Sequence, residues 1–146
     1  MRTPLADILY LEDHEDTVEL VTLVLTRHNY NVVAAKNYDD ALRLAQTRSF
    51  DLYLIDNWVM GGSGIELCKK LRKTDRLTPI LFYSAAAYES DKEEAFAAGA
   101  DGYLLKPALT DQLVREVSRL ISAARQNHTS NRKTKREWPS WQLNVD

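Results

Sequence analysis

Cysteine is all but missing from this chain: Cys68 stands alone among 146 residues, which excludes an internal disulfide and fits a reducing compartment. Long apolar runs are missing too. No stretch approaches the roughly 20 residues that a membrane-spanning helix needs. Met1 to Asp7 show no basic start followed by an apolar segment, so a signal peptide is not expected either. Neither sign of charge dominates, because 19 Lys and Arg face 21 Asp and Glu for a net −2. No internal repeat of solenoid type is present. What is there is an ordinary globular composition, 45% hydrophobic and 27% charged, in a length that suits one domain with its own core. A cytoplasmic protein is the expectation, with no membrane partner.

Short apolar runs alternate with amphipathic stretches. Ile8-Leu9-Tyr10-Leu11, Val32-Val33-Ala34-Ala35, Leu52-Tyr53-Leu54-Ile55, Ile80-Leu81-Phe82-Tyr83 and Tyr103-Leu104-Leu105 read as strands. Between and after them, Val18, Val21 and Leu25, then Ala41, Leu42 and Ala45, then Leu67, Cys68 and Leu71, and finally Leu113, Val117, Leu120 and Ile121 fall at helical spacing. Asn37 stands where a helix N-cap is wanted, and Gly99 where the helix Glu89 to Ala98 must stop. Continuous apolar strands are expected when helices cover both faces of a parallel sheet. The pattern predicts a doubly wound α/β domain over residues 1–125. Residues 126–146 read as a basic, Trp-containing tail and not a second domain.

In an open parallel sheet the carboxyl ends of the strands form the site. Glu12 and Asp13 follow the first run, Asp56 ends the third, Ser84 the fourth, and Lys106, with Pro107 behind it, the fifth. Taken singly, each has a bland use as a turn former, cap or loop residue. Their joint placement, in chain order along one edge, is what points to chemistry. Clustered carboxylates suit a hard divalent cation such as magnesium. An aspartate can be the nucleophile toward a phosphoryl group. A lysine and a hydroxyl can stabilise the oxygens of that group.

The segments Ile8 to Asp13, Asp51 to Asp56 with Met60 behind it, Ser84-Ala85, and Ala98 to Pro107 resemble bacterial response-regulator receiver domains, and the resemblance runs from about Ala6 to Ala124. It implies a flavodoxin-like, five-stranded sheet of order 2-1-3-4-5 with helices on both faces. It implies a stand-alone response regulator, similar to the chemotaxis response regulator, phosphorylated by a sensor histidine kinase or a phosphotransfer protein and catalysing only its own phosphorylation and dephosphorylation. On these positions Asp56 matches the phosphoacceptor, and Asp13 a direct magnesium ligand. Glu12 matches a carboxylate acting through water or behind the ligands, and the backbone carbonyl of Trp58 the third protein ligand. Ser84 matches the switch hydroxyl, Lys106 the phosphate-contacting lysine, Tyr103 the switch aromatic ring, and Pro107 a proline whose preceding bond is usually cis. The family often dimerises through the face of its fourth and fifth helices. The output protein is not implied.

Some positions depart from the family. Gly61 stands where proline is common, and Ser63 where aspartate is common. Trp58 and Ala86 occupy positions that modulate dephosphorylation, and the bulk of Trp58 leads to an expectation of a long-lived acyl phosphate. A non-phosphorylated receiver-like interaction module is the alternative reading, against which the intact Asp13, Asp56, Ser84 and Lys106 argue. An aspartyl phosphatase would place its nucleophile after the first strand, and a flavodoxin would have a phosphate-cradling loop where Glu12-Asp13 stand. The run Arg132, Lys133, Lys135 and Arg136 is read as a solvated tail in preference to a nucleic-acid arm, and Trp138 and Trp141 as a docking element.

Overall fold

The computed structural model describes the backbone of residues 3–137 and the side chains of residues 3–127. The tail tryptophans Trp138 and Trp141 lie outside the described residues, as do the side chains of the basic run before them. In chain order the elements are β1 (Ala6–Leu11), α1 (Glu15–Arg27), β2 (Tyr30–Ala35), α2 (Tyr38–Thr47), β3 (Leu52–Ile55), β4 (Trp58–Val59), β5 (Gly62–Ser63), α3 (Gly64–Arg72), β6 (Ile80–Ser84), α4 (Glu89–Ala98), β7 (Gly102–Leu105) and α5 (Thr110–Glu137).

Alternation along the strands divides the core in two. From β1, Ile8 and Tyr10 point to one face, where Val21 and Leu25 of α1 and Leu113, Val117, Leu120 and Ile121 of α5 cover them. Leu9 and Leu11 point to the other, beneath Ala41 of α2, Leu67, Cys68 and Leu71 of α3, and Ala95 of α4. Every residue of β3 and β6 is buried, as a sheet covered on both faces requires. Full burial of one such Leu or Ile side chain contributes about 1.5–3 kcal/mol.

The strands are parallel and run in the order β2-β1-β3-β6-β7. With the short hairpin β4–β5 set apart, this is the expected flavodoxin-like order 2-1-3-4-5. β1 pairs with β2 on one side and β3 on the other, so the chain reverses direction across the sheet at β1. A crevice at the carboxyl ends of β1 and β3 follows from that reversal.

Local signals hold where the sequence placed them. The Asn37 side chain accepts the Asp40 N–H at 2.9 Å and starts α2. Ser63, which the sequence did not mark as a cap, does the same for Glu66 at 3.1 Å and starts α3. Gly99 ends α4 in the left-handed region at φ 116°. Two features differ from the sequence pattern. The Gly-rich stretch before α3 is a hairpin, β4–β5, turned at Gly61 with φ 86°. α5 also continues as helix through residues 126–137, although its apolar stripe ends near Ala124. Those residues contain no Gly or Pro to break the backbone.

Candidate functional site

Backbone bonds fix the strand ends to one another. The Glu12 N–H donates to the Ala35 carbonyl at 3.0 Å, Asp56 N–H to Leu11 at 3.0 Å, and Lys106 N–H to Ser84 at 3.0 Å. The side chains that follow therefore meet along one edge. Glu12 and Ser84 are fully buried and Asp56 nearly so. The Lys106 ammonium donates to Glu12 Oε1 and, at 3.1 Å, to Asp56 Oδ2. One cation thus serves two buried carboxylates. It also lies 5.6 Å from the centre of the Tyr83 ring.

The electrostatics are lopsided. Burial, and then the neighbouring Asp56 carboxylate, push the Glu12 carboxyl up to about 7, against the opposing pull of Lys106. Burial alone would depress the Lys106 ammonium, but its hydrogen bond to Glu12 and the charge of Asp56 outweigh that and raise it. Glu12 Oε2 and Asp13 Oδ1 are buried and receive no hydrogen bond from the described residues. Three carboxylates against one ammonium, with two orphaned oxygens among them, form a donor set that fits a hard divalent cation.

Ser84 lies inside the β6 end, where its hydroxyl oxygen accepts the Ala86 N–H at 3.2 Å. Tyr103 is half-buried, with its ring stacked on Phe82 at 5.9 Å and 4° and its hydroxyl donating to the Ala86 carbonyl at 2.7 Å. Ser84 and Tyr103 therefore hold the same short loop from two sides. The Lys106–Pro107 bond is cis. Trp58 sits in β4, paired with Ser63, and its side chain is 63% exposed.

A family profile described as response regulator receiver domain matches residues 8–118. The chain belongs to the response regulator receiver family. Among curated relatives, this receiver is 32% identical over 127 residues to the transcriptional regulatory protein ResD of Bacillus subtilis (strain 168), covering 87% of this chain and 52% of that protein. It is 38% identical over 100 residues to the alkaline phosphatase synthesis transcriptional regulatory protein PhoP of the same organism, covering 68% and 42%. The chain thus spans about half the length of the curated relatives it matches. Among solved structures, a response regulator from Chloroflexus aurantiacus J-10-fl superposes with TM-score 0.78 at 30% identity, covering 82% of this chain and 99% of that one. A CheY-like receiver protein from Methanospirillum hungatei JF-1, at TM-score 0.80 and 21% identity over 86% of this chain and 99% of that one, shares the fold.

Within this receiver, the structure brings Glu12, Asp13, Asp56, Ser84 and Lys106 to one sheet edge, with Tyr103 one step behind. The sequence reading passed over three further residues. The Asn57 side chain accepts the Ile65 N–H at 3.1 Å, and its carbonyl accepts Gly64 N–H at 2.8 Å, which clamps the loop after Asp56 onto the start of α3. Gly64 permits this approach, since a Cβ there would lie 2.6 Å from the Asp56 carbonyl oxygen. His14 places Nδ1 3.1 Å from Asp13 Oδ1 and 4.0 Å from Glu12 Oε2. The first two act through backbone contacts that leave no pattern in the sequence. His14 adjoins the acidic pair and was legible there.

Among the described residues, no helix is long and apolar enough to cross a membrane.

Proposed function

We propose that this receiver takes a phosphoryl group onto Asp56 and relays that event through Ser84 and Tyr103. The observation that carries the reading is the convergence of Glu12, Asp56, Ser84 and Lys106 from four strand ends, with one ammonium shared between two buried carboxylates. In the step itself, an Asp56 carboxylate oxygen attacks the phosphorus of a phosphohistidine donor. The P–N bond breaks, its electron pair stays on the imidazole nitrogen, and an acyl phosphate forms. Lys106 pairs with a phosphoryl oxygen, and the Ser84 hydroxyl donates to another. Asp13, Asp56 and the Trp58 carbonyl would hold magnesium, with Glu12 linked through water. When bound, the ion supplies positive charge for the phosphoryl oxygens.

The relay rests on the loop after β6. If Ser84 turns toward the phosphoryl group, it lets go of the Ala86 N–H. The Ala86 carbonyl that anchors Tyr103 then shifts, and the face of α4, β7 and α5 changes its preferred contacts. That face carries exposed Phe96, Leu105 and Leu109, which suits an output protein or a second copy in a homodimer. A sensor histidine kinase or phosphotransfer protein is the proposed donor, in the cytoplasm. No turnover of an external substrate is part of this role. The match spans about half of the curated relatives named as transcriptional regulators. For the residues described here, the proposed output is protein contact in the manner of a stand-alone receiver, with nucleic acid and membrane outside the proposal.

The test is intact-mass measurement after incubation with magnesium and acetyl phosphate. The expected result is the gain of one phosphoryl group, absent in Asp56→Asn and in protein kept in EDTA. No adduct under any condition would favour a non-phosphorylated interaction module. Turnover of an added phosphoester would favour an enzyme.

A further inference from the structure

We propose that His14 supplies a nitrogen ligand to the cation site, giving it a stronger preference for borderline first-row ions such as Co2+ over Mg2+ than its carboxylates alone would confer. The inference rests on the cation-site reading above and adds to it a ligand and a selectivity.

Three observations meet at this site. First, one ligand atom each from Glu12, Asp13 and His14 lie within 4.8 Å of one another. The His14 Nδ1 separation of 3.1 Å from Asp13 Oδ1 suits two adjacent ligands of one ion, and Glu12 Oε2, 4.0 Å from Nδ1, stands close enough to reach that ion through water. Ligands about 2.1 Å from a metal stand roughly 3 Å apart when adjacent and about 4 Å apart when opposite. Second, both carboxylate oxygens are buried and receive no hydrogen bond from the described residues, and the Glu12 side chain is fully buried. Leaving such groups bare is costly, and an ion relieves the cost. Third, His14 occupies the N-cap position of α1 in an extended conformation but makes no side-chain cap bond, so the helix does not use its ring. The ring is 75% exposed, so an ion can reach it from solvent.

The chemistry then sets the preference. Magnesium takes oxygen ligands and keeps its waters, so an imidazole beside it contributes little. Co2+, Ni2+ and Zn2+ bind imidazole well. The competing account is a surface histidine paired with Asp13 and nothing more.

The experiment uses the full, untagged chain stripped of metal, titrated calorimetrically with CoCl2 and with MgCl2. The Co2+ visible absorption spectrum gives a second readout. For His14→Asn the ratio of Co2+ to Mg2+ affinity should fall by roughly tenfold or more, and the Co2+ bands should shift as nitrogen leaves the coordination sphere. An unchanged ratio, or equal weakening of both ions, overturns the proposal, the second because His14 would then act only by positioning Asp13. Loss of the Co2+ preference in His28→Asn in place of His14→Asn also overturns it. Asp13→Asn separates the two levels. If it loses Mg2+ while His14→Asn keeps the Co2+ preference, only the His14 role fails. If it binds Mg2+ as the parent does, the cation-site reading fails as well. Far-UV circular dichroism of each variant confirms the fold.

Discussion

In the absence of a divalent cation, Glu12 is a burden on the fold, and Glu12→Gln should relieve it. The side chain is fully buried, and the Lys106 ammonium that donates to it is shared with Asp56. Burial and the Asp56 charge lift the carboxyl from its ordinary 4.5 to about 7, with Lys106 pulling the other way. A folded-state value above the unfolded one has a definite sign. The stabilising contribution is fully present below pH 4.5 and is lost as pH rises through 7. At about 1.4 kcal/mol per pH unit between the two values, the ionised Glu12 withholds on the order of 3 kcal/mol at pH 8. Glutamine keeps an acceptor for Lys106 but no charge, and the weaker bond gives back roughly 1–2 kcal/mol. The net gain is about 1–2 kcal/mol, or a rise in Tm on the order of 5 °C for a chain of this size. Thermal melts in EDTA from pH 4.5 to 8.5 should show the two proteins converging at the acid end and Glu12→Gln gaining as pH rises. Saturating magnesium should then close the gap, because the parent gains binding free energy that the variant has partly lost. If Glu12→Gln melts lower than the parent at pH 8 in EDTA, or if the gain does not depend on pH, the picture of two buried acids competing for one ammonium is wrong.

Gly64→Ala should destabilise the fold by about 1–3 kcal/mol and lower the yield of phosphorylated protein, because its Cβ meets the Asp56 carbonyl oxygen at 2.6 Å and Ile55 Cγ2 at 2.8 Å, atoms that cannot yield without moving the acceptor loop. A melt and an adduct yield equal to the parent would mean that this loop has slack. Cys68 is buried, donates its thiol to the Ala98 carbonyl at 3.4 Å, and is raised to about 11 chiefly by burial. It should resist iodoacetamide at pH 8 in the native state and react only as fast as the protein opens, and this thiol's contribution to stability should fade between pH 9 and 11. Rapid native alkylation at pH 8 would place it outside the core.

The sheet was legible in the sequence because a parallel sheet covered on both faces leaves no polar alternation. Its strands then stand out as short apolar runs, and their ends, where Asp13, Asp56, Ser84 and Lys106 sit, are marked by the first polar residue. What the sequence concealed depends on contacts between distant residues. The β4–β5 hairpin has two residues per strand, too few for any period. It exists because Gly61 takes φ 86° and because the Met60 carbonyl accepts the Tyr38 N–H at 3.0 Å. Arg72 reads as one more basic residue in the last turn of α3. Yet its guanidinium reaches the carbonyls of Gly99 at 2.9 Å and Thr78 at 2.7 Å and the Asp101 carboxylate at 2.8 Å. Asp101 in turn accepts the Ile80 N–H at 2.9 Å, so one side chain ties the start of β6 to the turn before β7. These are the two strands whose far ends carry Ser84 and Lys106. The placement of the site's hydroxyl and ammonium thus depends on a charge network at the opposite end of the sheet. No motif records it, because the sequence separations of its partners carry no period and each residue taken alone has an ordinary surface use.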